Sequence, residues 1–232
     1  RHQDYAQLET LMQKHHLIYP RIIIVTESIF SMDGDIAQLQ KLVALKKLYP
    51  GTMLYVDEAH GIGVRGQKGL GIAEEQECIH NIDFLCGTFG KALASVGAYI
   101  VCSRVVRDYL VNKMRTFIFT TALPPLNIAW THFVMERVPE MNERRRQVAK
   151  LSSCLRNALH TRGMPSTSES HIVPMIVGES HEAIAKAEQL QRDGLYVLPV
   201  RPPSVLEGTS RLRFSLTAGI MENELKQLID KL

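Results

Sequence analysis

The chain has 232 residues, 45% of them hydrophobic, and a formal net charge of +3. That is enough apolar material for a sizeable core, which argues against intrinsic disorder. The basic residues are scattered, which gives no footprint for nucleic acid, and no apolar run approaches the roughly 20 residues that span a bilayer.

In chain order, Tyr5–His16 reads as an amphipathic helix and Arg21–Thr26 as a buried strand. Ile36–Leu48 reads as a helix, with Leu39, Leu42, Val43 and Leu45 near a 3.6-residue period. Met53–Val56, Asp83–Cys86 and Tyr99–Cys102 follow as strands. Ser103 caps a helix that runs to Met114. Phe117–Thr120 is predicted as a further strand, and Pro124-Pro125 opens another helix. Continuous apolar strands separated by helices argue for a parallel sheet covered on both faces. After a boundary near Arg137 the order changes. Met141–Arg162 is a long helix whose Arg144-Arg145-Arg146 run reads as a solvated face. His171–Val177, Leu195–Pro199 and Arg211–Leu216 are strands, and His181–Asp193 and Glu222–Leu232 are helices. The expectation is an α/β domain over 1–137 and a smaller α+β domain over 138–232.

The four cysteines (Cys78, Cys86, Cys102 and Cys154) have no metal-like spacing, and no metal site is expected. Cys86 and Cys102 sit in apolar strands as free thiols, so the cytoplasm is the default compartment. The chain starts at Arg1, and an upstream leader is outside what can be read.

The chemistry gathers at strand ends, where open α/β sheets build their crevices. Leu54-Tyr55-Val56 stops at Asp57-Glu58-Ala59-His60-Gly61. Phe84-Leu85-Cys86 stops at Gly87-Thr88-Phe89-Gly90-Lys91-Ala92. One end supplies a carboxylate and the other a lysine. Together they are what pyridoxal phosphate (PLP) needs: a partner for the pyridinium nitrogen and an amine for the Schiff base. His60 lies within reach of the ring oxygen, and Thr88 with nearby backbone N–H groups suits a phosphate.

Two rival readings of these residues stand beside that one. Asp57 and Lys91 also read as a sheet-end cap and an exposed lysine after a turn. Val56-Asp57-Glu58-Ala59-His60 also spells a helicase-type ATPase box, with Glu58 activating water. That box needs a preceding G-x-x-x-x-G-K-[ST] loop, and here Ala92 follows Gly90-Lys91.

Thr26-Glu27-Ser28-Ile29-Phe30-Ser31-Met32-Asp33-Gly34-Asp35 is a third strand-end loop, with a capped turn as its plainer reading and Asp35 as the helix cap. In Val200-Arg201-Pro202-Pro203-Ser204, a guanidinium beside two prolines suits a bidentate grip on a carboxylate. Arg211 and Arg213 share a strand face and read as surface charges.

Taken together, the runs Glu27–Asp35, Asp57–Gly71, Gly87–Tyr99, Phe119–Pro125 and Arg201–Ala218 resemble the α-oxoamine synthase family of fold-type I PLP enzymes. The resemblance runs in order along the whole chain from Arg1-His2-Gln3-Asp4. It implies that Lys91 is the Schiff-base lysine and Asp57 the pyridinium partner, with His60 and Ser31 at the ring oxygen. Thr88 would bind phosphate, and Thr120 and Thr121 the phosphate of the neighbouring subunit's cofactor in a homodimer. Arg201 would bind the amino-acid carboxylate, with Glu27 near the substrate. The implied reaction condenses an amino acid with an acyl-CoA or acyl-carrier-protein thioester and releases CO₂. L-Alanine with a pimeloyl thioester, as in biotin synthesis, fits the motifs best, and acetyl transfer to glycine is the alternative. The family's chains extend further at the N-terminus, where a glycine-rich cofactor loop lies. The expectation is therefore a part of the large domain, half a cofactor site and no activity alone. Leu206 and Ile220 depart from the proline and histidine of many members.

Overall fold

The apolar runs fold into two separate sheets in the computed structural model, which describes residues 1–164 and 166–232. Packing groups Arg1–Ile29 with Ala37–Asn142, and Phe30–Ile36 with Glu143–Leu232, as two units.

In the first unit, α1 (Tyr5–His15) begins at Asp4, whose side chain accepts from the Gln7 N–H at 2.9 Å. Strand β1 (Ile22–Glu27), helix α2 (Leu39–Leu48) and strand β2 (Thr52–Asp57) follow. Next come the short α3 (Ile72–Glu75), β3 (Phe84–Thr88) and β4 (Ala98–Cys102). The unit ends with α4 (Arg104–Lys113), α5 (Arg115–Ile118) and α6 (Pro125–Arg137). Ser103 caps α4 through its hydroxyl, and Pro125 opens α6, where a missing N–H costs nothing. The sheet order is β1-β2-β3-β4, with three parallel strands and β4 antiparallel to β3.

Burial alternates along β2, as a period of two requires. Thr52, Leu54 and Val56 face inward, with Ile24 of β1 and the Leu39, Leu42 and Val43 stripe of α2 also buried. Each fully buried Leu or Val contributes about 1.5–3 kcal/mol. Among the described residues the expected cover on both faces is not found. On the other face Ile23 is 54%, Val25 68% and Ile100 41% exposed. Helices α4, α5 and α6 contribute no buried side chain among the described residues.

Phe117–Thr120 is not a strand. The N–H groups of Phe117 and Ile118 both bond back to the Met114 carbonyl at 3.0 Å, closing a helical turn. Its aromatic and β-branched residues favour a strand only beside a neighbouring strand, and here they are exposed. Helix α2 starts three residues later than expected, because the Ala37 N–H is taken by the Ser28 carbonyl and Gln38 stands at the N-cap. Asp35 is therefore not the cap.

The second unit packs α7 (Asn142–Thr161), α8 (Ser180–Arg192) and α9 (Glu222–Lys231) with an antiparallel sheet. That sheet has the order β5 (Ile172–Gly178), β7 (Ser210–Ser215), β6 (Pro199–Val200). Leu151, Leu155 and Leu159 of α7 meet Val173, Met175, Leu212 and Phe214 in one core. The strand expected over Leu195–Pro199 shrinks to Pro199–Val200. The Val197 carbonyl accepts from the Gln191 side chain at 2.7 Å instead of joining a ladder. Among the described residues no helix is long and apolar enough to cross a membrane.

Candidate active site

Because β1, β2 and β3 run parallel, their C-terminal ends share one edge of the sheet. Glu27 pairs in register with Asp57, and Asp57 with Cys86. The ladder continues one step past the strands, with the Ser28 N–H on the Asp57 carbonyl (2.9 Å) and the Glu58 N–H on the Cys86 carbonyl (2.7 Å). Alternation then sends adjacent acids to opposite faces. Asp57 follows Met53 and Tyr55 on the open face, and its Oδ1 accepts from the Ala59 N–H at 2.7 Å. Glu58 turns inward and is 0% exposed.

After Glu58 the chain reverses, and the Gly61 and Ile62 N–H groups return to the Glu58 carbonyl at 2.9 Å. That turn presents His60. Beyond β3 a second tight loop is closed by the Phe89 N–H to the Gly97 carbonyl and the Ser95 N–H to the Phe89 carbonyl. The Thr88 hydroxyl lies 3.2 Å from the Gly97 carbonyl as donor and accepts from the Gly90 N–H at 3.1 Å. The two loops meet: Lys91 Nζ stands 2.8 Å from His60 Nε2. An ammonium at Lys91 donates to Nε2, which places the proton of a neutral imidazole on Nδ1.

A cavity of about 640 Å³ opens on the same unit, lined by Asp57, Ala59 and Thr88 at the strand ends and by Tyr55, Cys86 and Ile100 below them. A hydrogen bond with Cys86, ahead of burial, pushes the Tyr55 phenol up to about 12. Gly87 has no room for a side chain, since a Cβ there would lie 2.3 Å from Tyr99 Oη. Thr120 and Thr121 are exposed in the irregular stretch after α5.

Glu58, read from sequence only as part of an ATPase box, is an anchor in the structure. Its carboxylate accepts from the Ser28 hydroxyl and from the Ala73 N–H, both at 2.6 Å. Burial is the largest influence and pushes its carboxyl above the ordinary range, against the bonds from Ser28, Ala73 and Ile72. Both oxygens are engaged away from solvent, so Glu58 cannot activate a water.

In the second unit, Ser31 sits in the loop Phe30–Ile36, which the bonds from Phe30 N–H to the Asp35 carbonyl and from Gly34 N–H to the Phe30 carbonyl close. Arg201 is exposed at the end of β6. Arg211 and Arg213 are not the expected surface charges. Arg211 is 5% exposed and pairs with Asp33 at 2.5 Å, while also bonding the Thr209 carbonyl at 3.0 Å. Arg213 Nε donates to the Ser31 carbonyl at 2.5 Å, and burial lowers its guanidinium pKa. Their strand is the middle one of its sheet, where alternate residues cannot all reach solvent.

The first unit thus holds a carboxylate, an imidazole in contact with an amine, and a hydroxyl at one sheet edge. The chain matches the aminotransferase class I and II family over residues 1–232. It is 57% identical, over 99% of its own length and 60% of the relative's, to a putative 8-amino-7-oxononanoate synthase of Glaesserella parasuis. It covers 58% of serine palmitoyltransferase (SPT) from Sphingomonas wittichii, with a TM-score of 0.91 and 31% identity over the whole of this chain. It matches a structure of SPT with a PLP internal aldimine equally well, with a TM-score of 0.91 and 30% identity over 100% of this chain and 58% of that one. The chain spans about 60% of the length of the curated relatives it matches. With the match extending over the whole chain, strand-end lysine and carboxylate included, the chain is a member of the aminotransferase class I and II family.

Proposed function

We propose that this chain carries the lysine-bearing part of a PLP-dependent acyltransferase that joins an amino acid to an acyl thioester and releases an α-amino ketone and CO₂. The observation that carries the reading is the 2.8 Å contact between Lys91 and His60 beside the strand-end carboxylate Asp57. These groups fit PLP. Asp57 would accept a hydrogen bond from the protonated ring nitrogen, Lys91 would hold the aldehyde carbon, and His60 with Ser31 would contact the ring oxygen. Thr88 would hold the phosphate, and Thr120 and Thr121 would hold that of a partner copy in a homodimer. Bound there, PLP supplies an electron sink for the bonds broken at the amino acid's α-carbon.

The chain's own residues do the rest. Arg201 binds the substrate carboxylate in a bidentate grip, with Glu27 near the side chain. Once released, Lys91 takes the α-proton and later returns one, and His60 orients its amine. The new carbon–carbon bond forms at the thioester carbonyl, the thiol leaves, and the carboxylate departs as CO₂.

The relatives' names support 8-amino-7-oxononanoate as the product. The substrates we assign to it are L-alanine and a pimeloyl thioester, as in biotin synthesis, with the cytoplasm as the compartment. A panel run on the complete enzyme, of which this chain is the proposed lysine-bearing part, crosses alanine, glycine and serine with pimeloyl, acetyl and palmitoyl thioesters and follows thiol release and CO₂. The reading expects alanine with pimeloyl to lead. Glycine with acetyl or serine with palmitoyl leading would reassign the substrate within the same chemistry. Magnesium-dependent ATP hydrolysis with no thiol release would remove the reading.

A further inference from the structure

Resting on the PLP reading above, we propose that Glu58 is the positioning residue of the active site: its buried carboxylate fixes the turn that presents Asp57 and His60. The position is held at four points. The Glu58 N–H bonds to Cys86 of β3, and its carbonyl takes the Gly61 and Ile62 N–H groups. One carboxylate oxygen takes the Ser28 hydroxyl just past β1, and the other takes the Ala73 N–H in the first turn of α3. Cys86 of β3, Ser28 just past β1 and Ala73 of α3 are thereby tied to the residue that stands between Asp57 and the turn carrying His60.

The surrounding backbone is shaped to this carboxylate. A Cβ on Gly61 would stand 1.9 Å from Oε2, and one on Gly71 would stand 2.3 Å from it. Gly61 follows His60 directly, so the carboxylate and the imidazole share one turn. Ser28 is itself fully buried, and its carbonyl takes the Ala37 N–H. Nothing in the proposed chemistry uses Glu58, whose side chain is buried on the face of the sheet opposite to Asp57. It acts through its neighbours. Ordinary packing would be met by a leucine. A carboxylate that accepts from a separate donor at each oxygen specifies instead the direction of the turn.

The test compares wild type with Glu58→Gln, Glu58→Leu and Ser28→Ala. Gln keeps the volume but removes the charge and replaces one acceptor oxygen with an NH₂ donor, toward which the Ser28 hydroxyl must turn to accept. Two readouts are followed. The first is the NMR titration of His60 in protein without PLP. The second is the pH titration of the cofactor absorbance in protein with PLP. Positioning expects Glu58→Gln and Glu58→Leu to move both apparent pKa values by about half a unit or more. Ser28→Ala, which retains the carboxylate and is the variant surest to fold, should move them less and in the same direction. Loss of thermal stability with both titrations at wild-type values in Ser28→Ala and in every folded Glu58 variant would overturn the proposal. A wild-type protein with no cofactor absorbance would overturn the PLP reading alone, because the His60 titration without PLP still decides the role of Glu58.

Discussion

Lys91 Nζ lies 2.8 Å from His60 Nε2, and the two residues come from loops that follow different strands. The contact needs β2 and β3 to be parallel neighbours, so that both loops leave the same edge. It also needs the His60 tautomer with its proton on Nδ1 when Lys91 is charged. His60→Asn keeps a polar group but not an imidazole acceptor on the same arc. We expect kcat to fall about 10- to 100-fold with a smaller change in KM for the amino acid. A pure KM effect would show that His60 acts in binding alone.

Protonation of Glu58 gives stability a definite pH slope. Its folded pKa is raised, chiefly by burial, so between the unfolded and the folded pKa the folded state binds a proton more readily than the unfolded chain does. The contribution is fully present below the ordinary carboxylate pKa and is lost as pH rises through the folded value. Urea denaturation from about pH 4 to about pH 8 should show wild type losing stability relative to Glu58→Gln as pH rises. A difference that stays level or grows would contradict the assignment.

Arg211 and Asp33 should respond unequally to removal. The Arg211 side chain is 7% exposed and the Asp33 side chain 40%. Asp33→Ala strands a buried guanidinium and should cost about 2–4 kcal/mol. Arg211→Met leaves a carboxylate that water can reach and should cost less, about 1–2 kcal/mol. Chemical denaturation of both variants checks the order, and a larger loss in Arg211→Met would reverse the reasoning.

Gly87→Ala tests close packing behind the site. The added methyl would meet Tyr99, whose ring also lies 5.4 Å from that of Phe89. Overpacking of this kind costs about 1–3 kcal/mol. In a Tyr99→Leu background the same change should cost less, and equal costs in both backgrounds would place the strain elsewhere.

The placement of Asp57, His60, Thr88 and Lys91 at one sheet edge was legible because each ends or follows an apolar strand in a run of small residues. The helices were legible from their apolar period and from Ser103 and Pro125 at two of their starts. Glu58 was not. Its neighbour Asp57 dominates any motif reading, and only strand alternation separates the face of one from that of the other. Arg211 and Arg213 looked like surface charges because strand order, which makes β7 central, is not written in the local pattern. Phe117–Thr120 misled because a strand-favouring composition acts only through neighbours it does not have. The second cover on the sheet failed for a related reason. Apolar residues on both faces of β1 record what a strand can bury, and among the described residues Ile23 and Val25 remain more than half exposed.

The central claim is that Lys91 carries the cofactor. The direct measurement incubates the protein with PLP, reduces it with borohydride and maps the modified residue by peptide mass spectrometry. The account predicts a single phosphopyridoxyl group on Lys91, absent in Lys91→Ala. Modification confined to another lysine, or its persistence unchanged in Lys91→Ala, would contradict it.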